Sequence, residues 1–231
     1  TLMLMASDGL TCCYAVPQDM SGKEIIFPVE SNTAYVKITP DMNKIFFAVT
    51  VCVRFFTDYQ TKDLTIFKLA TPSHANGFVI FRGDGGNYWV YIGDQGIYFW
   101  GLPDKMNEWN SVCGTWDAST GLTQLWVNGK PSARKALQAG GSISGTLSII
   151  LGQDQDAYAG GFDVNDSFYG HETDVHMWDR VLSPCEIQSY MKGEVLSPGN
   201  VVNWNALKDT RSFQTMLTFV YDRSCVYYAW E

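Results

Sequence analysis

Residues 148 to 166 have the sequence SIILGQDQDAYAGGFDVND. The apolar, largely β-branched run at 149–151 predicts a buried strand, and Gly152 ends it. Four carboxylates then follow within thirteen residues, at positions 154, 156, 163 and 166. No lysine or arginine lies between Lys135 and Arg180, so no neighbour in the sequence balances this charge. This pattern predicts a strand followed by an acidic loop, and the negative charge of the loop must be offset by a cation or by solvent.

A divalent cation is one way to offset these acids. Calcium takes six to eight oxygen ligands from carboxylates, amides, backbone carbonyls and water. The glycines at 160 and 161 allow the chain to fold back, so that the second pair of acids can face the first. The spacing does not match an EF-hand loop, because the third ligand position would be Tyr158. A solvated acidic loop is the alternative, since charged runs are usually exposed.

The composition is typical of one ordered globular domain. The chain has 231 residues, of which 14% are aromatic and 17% charged, so intrinsic disorder is not expected. Its net charge of −8 argues against nucleic acid as a partner, since nucleic-acid binding needs a basic surface. No apolar run approaches the ~20 residues that span a membrane, so no transmembrane segment is expected.

Short apolar strands separated by turn signals predict an antiparallel β-sandwich. Turn sequences lie at 83–87, 94–96 and 128–129, and the last is an Asn-Gly pair typical of a type I′ turn. The polar stretch 71–77 is predicted to be a loop. Strands are predicted at 23–28, 34–39, 45–56, 64–70, 78–81, 88–92, 97–100, 109–116, 122–127 and 149–151, and the alternation at 64–70 favours a half-buried strand.

One helix is predicted on this β-scaffold. Ser183 is a good N-cap, Pro184 suits the first helical position, and Glu186 completes a capping box. Ile187, Tyr190 and Met191 share one face, and Gly193 predicts the end of the helix. A single amphipathic helix must bury this face against a sheet.

The six cysteines are an even number, as a disulfide framework in an oxidising compartment requires. Cys52 and Cys113 lie in apolar strands, which suits a bridge within or between sheets. The remaining four are Cys12, Cys13, Cys185 and Cys225. The sequence alone does not choose among the pairings, and a free buried thiol is the alternative for each.

Several motifs together resemble the pentraxins, and among them the short-chain members. They are Cys52, CGTWD at 113–117, LWVNGKP at 125–131, IILGQDQD at 149–156, MWDRVLSP at 177–184 and NWNAL at 203–207. The resemblance covers residues 17–210, which we take as the pentraxin domain. Residues 1–16 are then a leader remnant or N-terminal arm, and residues 211–231 an aromatic C-terminal tail.

The resemblance implies a fold and a bridge. The fold is all-β, a flattened two-sheet antiparallel jelly-roll sandwich of the concanavalin-like lectin type, with one short α-helix on a sheet face. It further implies a Cys52–Cys113 disulfide and a helix at about 183–192.

The resemblance also implies a site for up to two calcium ions. Its ligands would be the side chains of Asn76, Asp154, Asp156, Asp163 and Asp166 with the carbonyl of Gln155. The first ion expects an Asp-Asn pair before Phe78, but this chain has Ala75-Asn76, which removes one carboxylate. At the second ion Asp163 matches an acid that is usually Glu, and Asp166 stands where an amide is usual. Since the number of charged ligands tunes calcium affinity, the first ion is expected to bind more weakly.

The ligand pocket departs further from the family pattern. Phosphocholine binding in the family uses the ions for the phosphate, a Phe for the apolar floor and an acid for the quaternary ammonium. Phe81 matches the Phe, but no acid stands at 96–97, although Asp94 is near. Tyr91 stands where a small residue usually leaves room for the methyl groups. An aromatic ring still offers its π face to a cation.

The resulting hypothesis is a secreted, extracellular, calcium-dependent pattern-recognition protein of innate immunity, of the acute-phase type, and not an enzyme. Its ligands would be phosphocholine or other phosphate or anionic sugar groups, and its further partners complement or receptor effectors. It would form a cyclic homo-oligomer, with five subunits favoured over three.

Two alternatives remain. One is a pentraxin-fold oligomer with a weakened calcium site and a different ligand. The other is a jelly-roll glycosidase, which the sequence disfavours because the clustered acids are all Asp, lie on a loop and have no apolar setting that would raise a pKa.

Overall fold

The computed structural model describes residues 16–59, 62–194, 197–212 and 214–219. Cys12, Cys13, Cys225 and most of the aromatic tail lie outside the described residues. In chain order the strands are β1 (Lys23–Phe27), β2 (Val36–Ile38), β3 (Ala48–Phe56), β4 (Leu64–Thr71), β5 (His74–Arg82), β6 (Tyr88–Ile92), β7 (Gln95–Phe99), β8 (Trp109–Asp117), β9 (Leu122–Val127), β10 (Lys130–Pro131), β11 (Lys135–Ala136), β12 (Ser148–Leu151), β13 (Gly170–Trp178), β14 (Asp209–Arg211) and β15 (Met216–Phe219).

The described strands form two antiparallel sheets. The first has the order β10-β9-β8-β3-β13-β1-β15, with β11 also paired to β9. The second has the order β14-β2-β12-β4-β5-β6-β7. In each sheet some neighbours are far apart in the sequence, such as β3 and β13 in the first sheet and β2 and β12 in the second. The predicted all-β jelly-roll sandwich is confirmed. The domain limits remain a prediction. Residues 216–219, which lie in the expected C-terminal tail, form β15 and pair with β1 of the first sheet.

The core lies between the sheets and is built from the inward residues of both. On β6, Tyr88, Val90 and Ile92 are buried in this core, whereas the intervening Trp89 and Tyr91 point to the outer face. This period of two is what a strand with one core-facing side requires. Trp116 and Trp204 are also fully buried.

The disulfide joins neighbouring strands of the first sheet. Cys52 on β3 lies directly opposite Cys113 on β8, and the two sulfurs are bonded. The bridge implied by the resemblance is thus present. Both cysteines are fully buried beneath the helix, in a small apolar cluster on the outer side of the sheet.

The helix α1 spans Pro184–Lys192 and covers that cluster with Ile187 and Tyr190. The Ser183 hydroxyl accepts from the backbone N–H of Glu186, and the Glu186 carboxylate accepts from the backbone N–H of Ser183 at 2.8 Å. Gly193 ends the helix in the left-handed conformation. The predicted helix, capping box and stop are all confirmed. At nine residues α1 is short, and no helix within the described ranges is long and apolar enough to cross a membrane.

Two local predictions were wrong. The stretch 71–77 is a tight hairpin, because β4 runs to Thr71 and β5 already begins at His74. β4 is not half-buried but buried along its whole length. Its outer face is covered by another segment, which is the acidic loop that follows β12.

Candidate functional site

The acidic loop comprises residues 152–166 and lies over the outer face of the second sheet. Gly152 starts it with φ of 85°, and a Cβ at this position would come within 2.2 Å of the Phe27 ring. Only glycine meets both demands without strain. The sharp turn directs the chain from β12 back across β4.

Two buried amides anchor the loop. Gln153 donates from Nε2 to the carbonyls of Ser31 and Ala34, at 2.5 and 2.8 Å. The Gln155 side chain accepts from the Ser148 hydroxyl at 2.7 Å and from the Ala159 N–H at 3.1 Å. Since these bonds occupy the Gln155 side chain, its backbone carbonyl is the group that remains to face a cation. Both glutamines therefore fix the loop from below rather than lining the site.

The loop gathers carboxylates at one end of the sheet. Asp154 is buried, and burial raises the pKa of its carboxyl, while the adjacent Lys68 ammonium partly offsets the rise. Burial also raises the pKa of Asp166, and the negative charges of Asp154, Asp163 and Asp156 raise it further. The expectation that no clustered acid would have a raised pKa was wrong. In the described part of the chain, no three carboxylate, imidazole or thiol groups stand close enough together to form a ready-made metal cage.

Asp163 and its neighbours have local structural roles as well. Its carboxylate accepts from the backbone N–H of Asn165 at 2.8 Å and caps a short 3₁₀ turn at Val164–Asp166. Asp163 and Asp166 are thereby held one turn apart. Lys62 approaches the same turn, but it bonds to the Val164 carbonyl at 2.8 Å and lies 3.5 Å from Glu30. Asp156, Asp163 and Asp166 form no salt bridge within the described residues.

Lys68 is a residue of the candidate site that the sequence did not indicate. It lies on the outer side of β4, beneath the acidic loop, and its side chain is only 1% exposed. Its ammonium contacts the carboxylate of Asp154 and the side-chain oxygen of Asn76. The acids are therefore not wholly uncompensated, because a lysine from another strand pairs with one of them.

Asn76 lies at the candidate site, but position 75 supplies no carboxylate beside it. The hairpin places Asn76 on β5, where its side-chain oxygen points to Lys68. Ala75 offers no oxygen from its side chain. The backbone N–H of Asn76 donates to Asp94 at 2.7 Å, so the carboxylate of Asp94 is already engaged in the turn between β6 and β7.

An aromatic wall runs from the acidic loop to the edge of the second sheet. It consists of Phe81, Trp89, Tyr91, Tyr98 and Trp100. Ring centroids of successive members lie 4.7–6.1 Å apart: Phe81–Trp89 at 6.1 Å, Phe81–Tyr91 at 5.9 Å, Trp89–Tyr98 at 4.7 Å and Tyr98–Trp100 at 5.5 Å. Trp100, at the outer end, is 66% exposed. The sequence indicated Phe81 and Tyr91 but not the rest of the wall.

The aromatic wall also closes the place where a family acid was expected. A Cβ built on Gly96 would come within 2.7 Å of the Tyr91 ring. Gly96 therefore permits Tyr91 to lie across β7, and no side chain fits between them. The missing carboxylate and Tyr91 therefore go together, because the Tyr91 ring occupies the space that a side chain at position 96 would need.

The chain was compared with known proteins. Residues 23–216 match the model of the Pentaxin family. The C-reactive protein of Sus scrofa is 43% identical over 208 residues, which are 90% of this chain and 91% of that protein. The serum amyloid P-component of Mesocricetus auratus is 40% identical over 189 residues, which are 82% of this chain and 80% of that protein.

Among solved structures, a native heptameric SAP-like pentraxin from Limulus polyphemus shares the fold, with a TM-score of 0.79 at 22% identity, over 87% of this chain and 96% of that chain. The family match covers most of the sequence, and the jelly-roll fold, the disulfide and the helix are those that the resemblance implied. This chain belongs to the Pentaxin family, the pentraxins.

Proposed function

We propose that this chain is a secreted, non-enzymatic recognition protein of the pentraxin type, which binds phosphate or anionic sugar groups through calcium held by its acidic loop. The observation that carries the proposal is that Asp156, Asp163 and Asp166 lie on one loop, without a salt-bridge partner within the described residues, beside an aromatic wall. Unpaired carboxylates on one loop attract a hard cation, and a bound cation with open positions attracts an anion.

The residues were tested against each of the two ions that the family implies. At the first position the donors are Asp154 and Asn76, and both contact the Lys68 ammonium, so they do not fit a further cation. The resemblance implies that Asp154, Asp156 and the Gln155 carbonyl are shared between the two positions. At the second position the donors that remain, once Lys68 holds Asp154, are Asp156, Asp163 and Asp166 with the Gln155 carbonyl. All are hard oxygen donors of the kind that calcium takes, so this set fits calcium by its chemistry. The three carboxylates do not stand close enough together to form a ready-made cage, so a bound ion would draw the acidic loop together. Bound there, calcium would supply a positive centre for a phosphate or carboxylate oxygen.

The aromatic wall would hold the rest of the ligand. Phe81 and Tyr91 stand next to the loop, and their rings meet edge to face at 5.9 Å. Aromatic faces attract quaternary ammonium groups and stack on the apolar faces of sugars. Phosphocholine, with an anionic and a cationic end, is therefore the first ligand to test, and Tyr91 rather than an acid would contact its methyl groups.

Isothermal titration of phosphocholine in calcium and in chelator tests the proposal. Wild type should bind only in calcium, and Asp163→Asn should weaken binding at least tenfold, because it removes one charged ligand while keeping the oxygen that caps the turn. Asp117→Asn is the matched control, since it removes the same charge at the end of β8 in the other sheet. Equal binding in chelator would refute the calcium function.

A second candidate is favoured by Lys68 and Ala75, namely a pentraxin oligomer with a weakened metal site and a different ligand. In this case calcium would still bind, but phosphocholine would not. Titration of a set of anionic sugars would then take the place of the phosphocholine titration. The glycosidase alternative is disfavoured because Asp154, the most buried of the acids, is paired with Lys68 and so is not free to donate a proton.

We extend the proposal to assembly. Weak sites gain about two to four orders of magnitude in avidity when several are presented together. A cyclic homo-oligomer that displays the acidic loops on one side would provide this, with α1 and its surroundings left for complement or receptor effectors. Five subunits are the expected number by resemblance.

A further inference from the structure

Lys68 lies where two of the expected calcium ligands meet. Its position on β4 is opposite Val79 of β5 and Ile150 of β12, in the middle of the second sheet. The ammonium contacts Asp154 and Asn76, which were both expected to hold the first ion. It also lies 5.7 Å from the centroid of the Phe81 ring. The ammonium thus contacts two side-chain oxygens that were expected to bind calcium, and it also lies near an aromatic ring.

The charges at this position balance without a metal. The family pattern expects a carboxylate at position 75, and Ala75 removes that negative charge. Lys68 adds one positive charge in the same place. Compared with a site that has a carboxylate at position 75 and no lysine, these two features add two units of positive charge, as many as a divalent ion brings. A buried carboxylate such as Asp154 is stable when it is paired and hydrogen-bonded, and Lys68 provides that pairing.

We infer that the Lys68 ammonium replaces the first calcium ion of the pentraxin site, so that each chain binds one calcium ion instead of two. An ion at the first position would have to displace Lys68, which would then lose its oxygen partners under the loop. The inference rests on the proposed function only for the remaining ion at Asp156, Asp163 and Asp166. It also implies that Lys68 holds the start of the acidic loop in place when calcium is absent.

Counting bound calcium tests the inference directly. Equilibrium dialysis against calcium should give one ion per chain for wild type and two for the double variant Lys68→Thr/Ala75→Asp, which removes the ammonium and restores the carboxylate. Ala75→Asp alone should stay at one, because Lys68 is still present. Lys62→Thr is the matched control, since it removes a lysine that contacts the same loop at Val164, and it should also stay at one.

The outcomes separate this inference from the proposed function. Two ions in wild type, or equal numbers in wild type and the double variant, would overturn the role of Lys68. No ion in wild type but one in the double variant would support Lys68 and reject the calcium function proposed above.

Reductive methylation followed by mass spectrometry needs no variant and keeps the test decisive if the double variant does not fold. Lys68 should resist methylation equally in calcium and in chelator, whereas exposed Lys192 should react in both. Labelling of Lys68 that appears on addition of calcium would mean that the ion displaces it, and would overturn the inference.

Discussion

Glu172 is a carboxylic acid enclosed in the core of the sandwich. It lies on β13 between Phe55 of β3 and Ile25 of β1, and it is 0% exposed. Neither of its carboxyl oxygens has a hydrogen-bond partner within the described residues. Burial raises its pKa well above the ordinary 4.5, so the folded protein keeps this group protonated to a higher pH than the unfolded chain does. Replacing it by methionine, which is apolar and of similar length, should stabilise the fold.

The size of the effect follows from the missing partners. Burying a neutral polar group without hydrogen bonds costs about 1–3 kcal/mol in mutational data, and Glu172→Met removes that cost. For a domain of this length 1 kcal/mol shifts the melting temperature by about 2–4 °C, so the variant should melt about 2–12 °C higher. Over-packing would oppose the gain, but a volume-conserving replacement keeps that term small.

The gain should also depend on pH. Above about pH 4.5 the unfolded chain releases the Glu172 proton while the folded chain retains it. The free energy of unfolding of wild type therefore falls as pH rises, by about 1.36 kcal/mol per pH unit from this group, until the folded group ionises as well. Glu172→Met lacks this dependence, so its advantage should grow from pH 4.5 upward.

Urea denaturation between pH 4.5 and 8, at one fixed protein concentration, measures both effects. The matched control is Glu108→Met, which removes an exposed glutamate whose pair with Lys105 lies at the surface. It should change stability by less than about 0.5 kcal/mol at any pH. A Glu172→Met variant that is less stable than wild type, or that keeps the same pH slope, would refute the reasoning.

Three further predictions follow from the fold. Replacing Cys52 and Cys113 together by alanine should lower the free energy of unfolding by about 4 kcal/mol in the chain-entropy model, because the bridge spans 61 residues; a loss below about 1 kcal/mol in urea denaturation would contradict this. Ser183→Ala should cost about 1 kcal/mol by removing the helix cap, while Ser183→Asp should cost little because Asp also caps; equal losses would argue against capping. Light scattering should find a cyclic oligomer, and a monomer at micromolar concentration would defeat the avidity argument.

The features that could be predicted from the sequence are those encoded locally or by motif. The helix was predicted because Ser183, Pro184 and Glu186 form its start within four residues and Gly193 forms its end. Most strands were predicted from their apolar alternation and turns. The jelly-roll arrangement and the disulfide came from the resemblance, since local pattern does not specify which strands are neighbours.

What could not be predicted depends on contacts between distant strands. β13 gives a weak strand signal because Glu172 and Thr173 are polar, yet β1 and β3 enclose both of them. Lys68 resembles an outward lysine on a half-buried strand, and only the acidic loop folding over β4 makes it a buried partner of Asp154. The metal and ligand residues themselves remain predictions, which the titration and dialysis experiments address.

Lys68 and the aromatic wall lie on the same outer face of the second sheet, and both would affect how that face binds a ligand. Binding through two ions makes recognition mainly a matter of charge, whereas a single ion leaves less attraction for the anionic part of a ligand. The wall extends from Phe81 through Trp89 and Tyr98 to the exposed Trp100, and so adds stacking surface on the side away from the acids. Because stacking on aromatic rings selects by shape, the single ion inferred above would shift the balance of recognition on this face from the charge of the head group toward the apolar or cationic part attached to it.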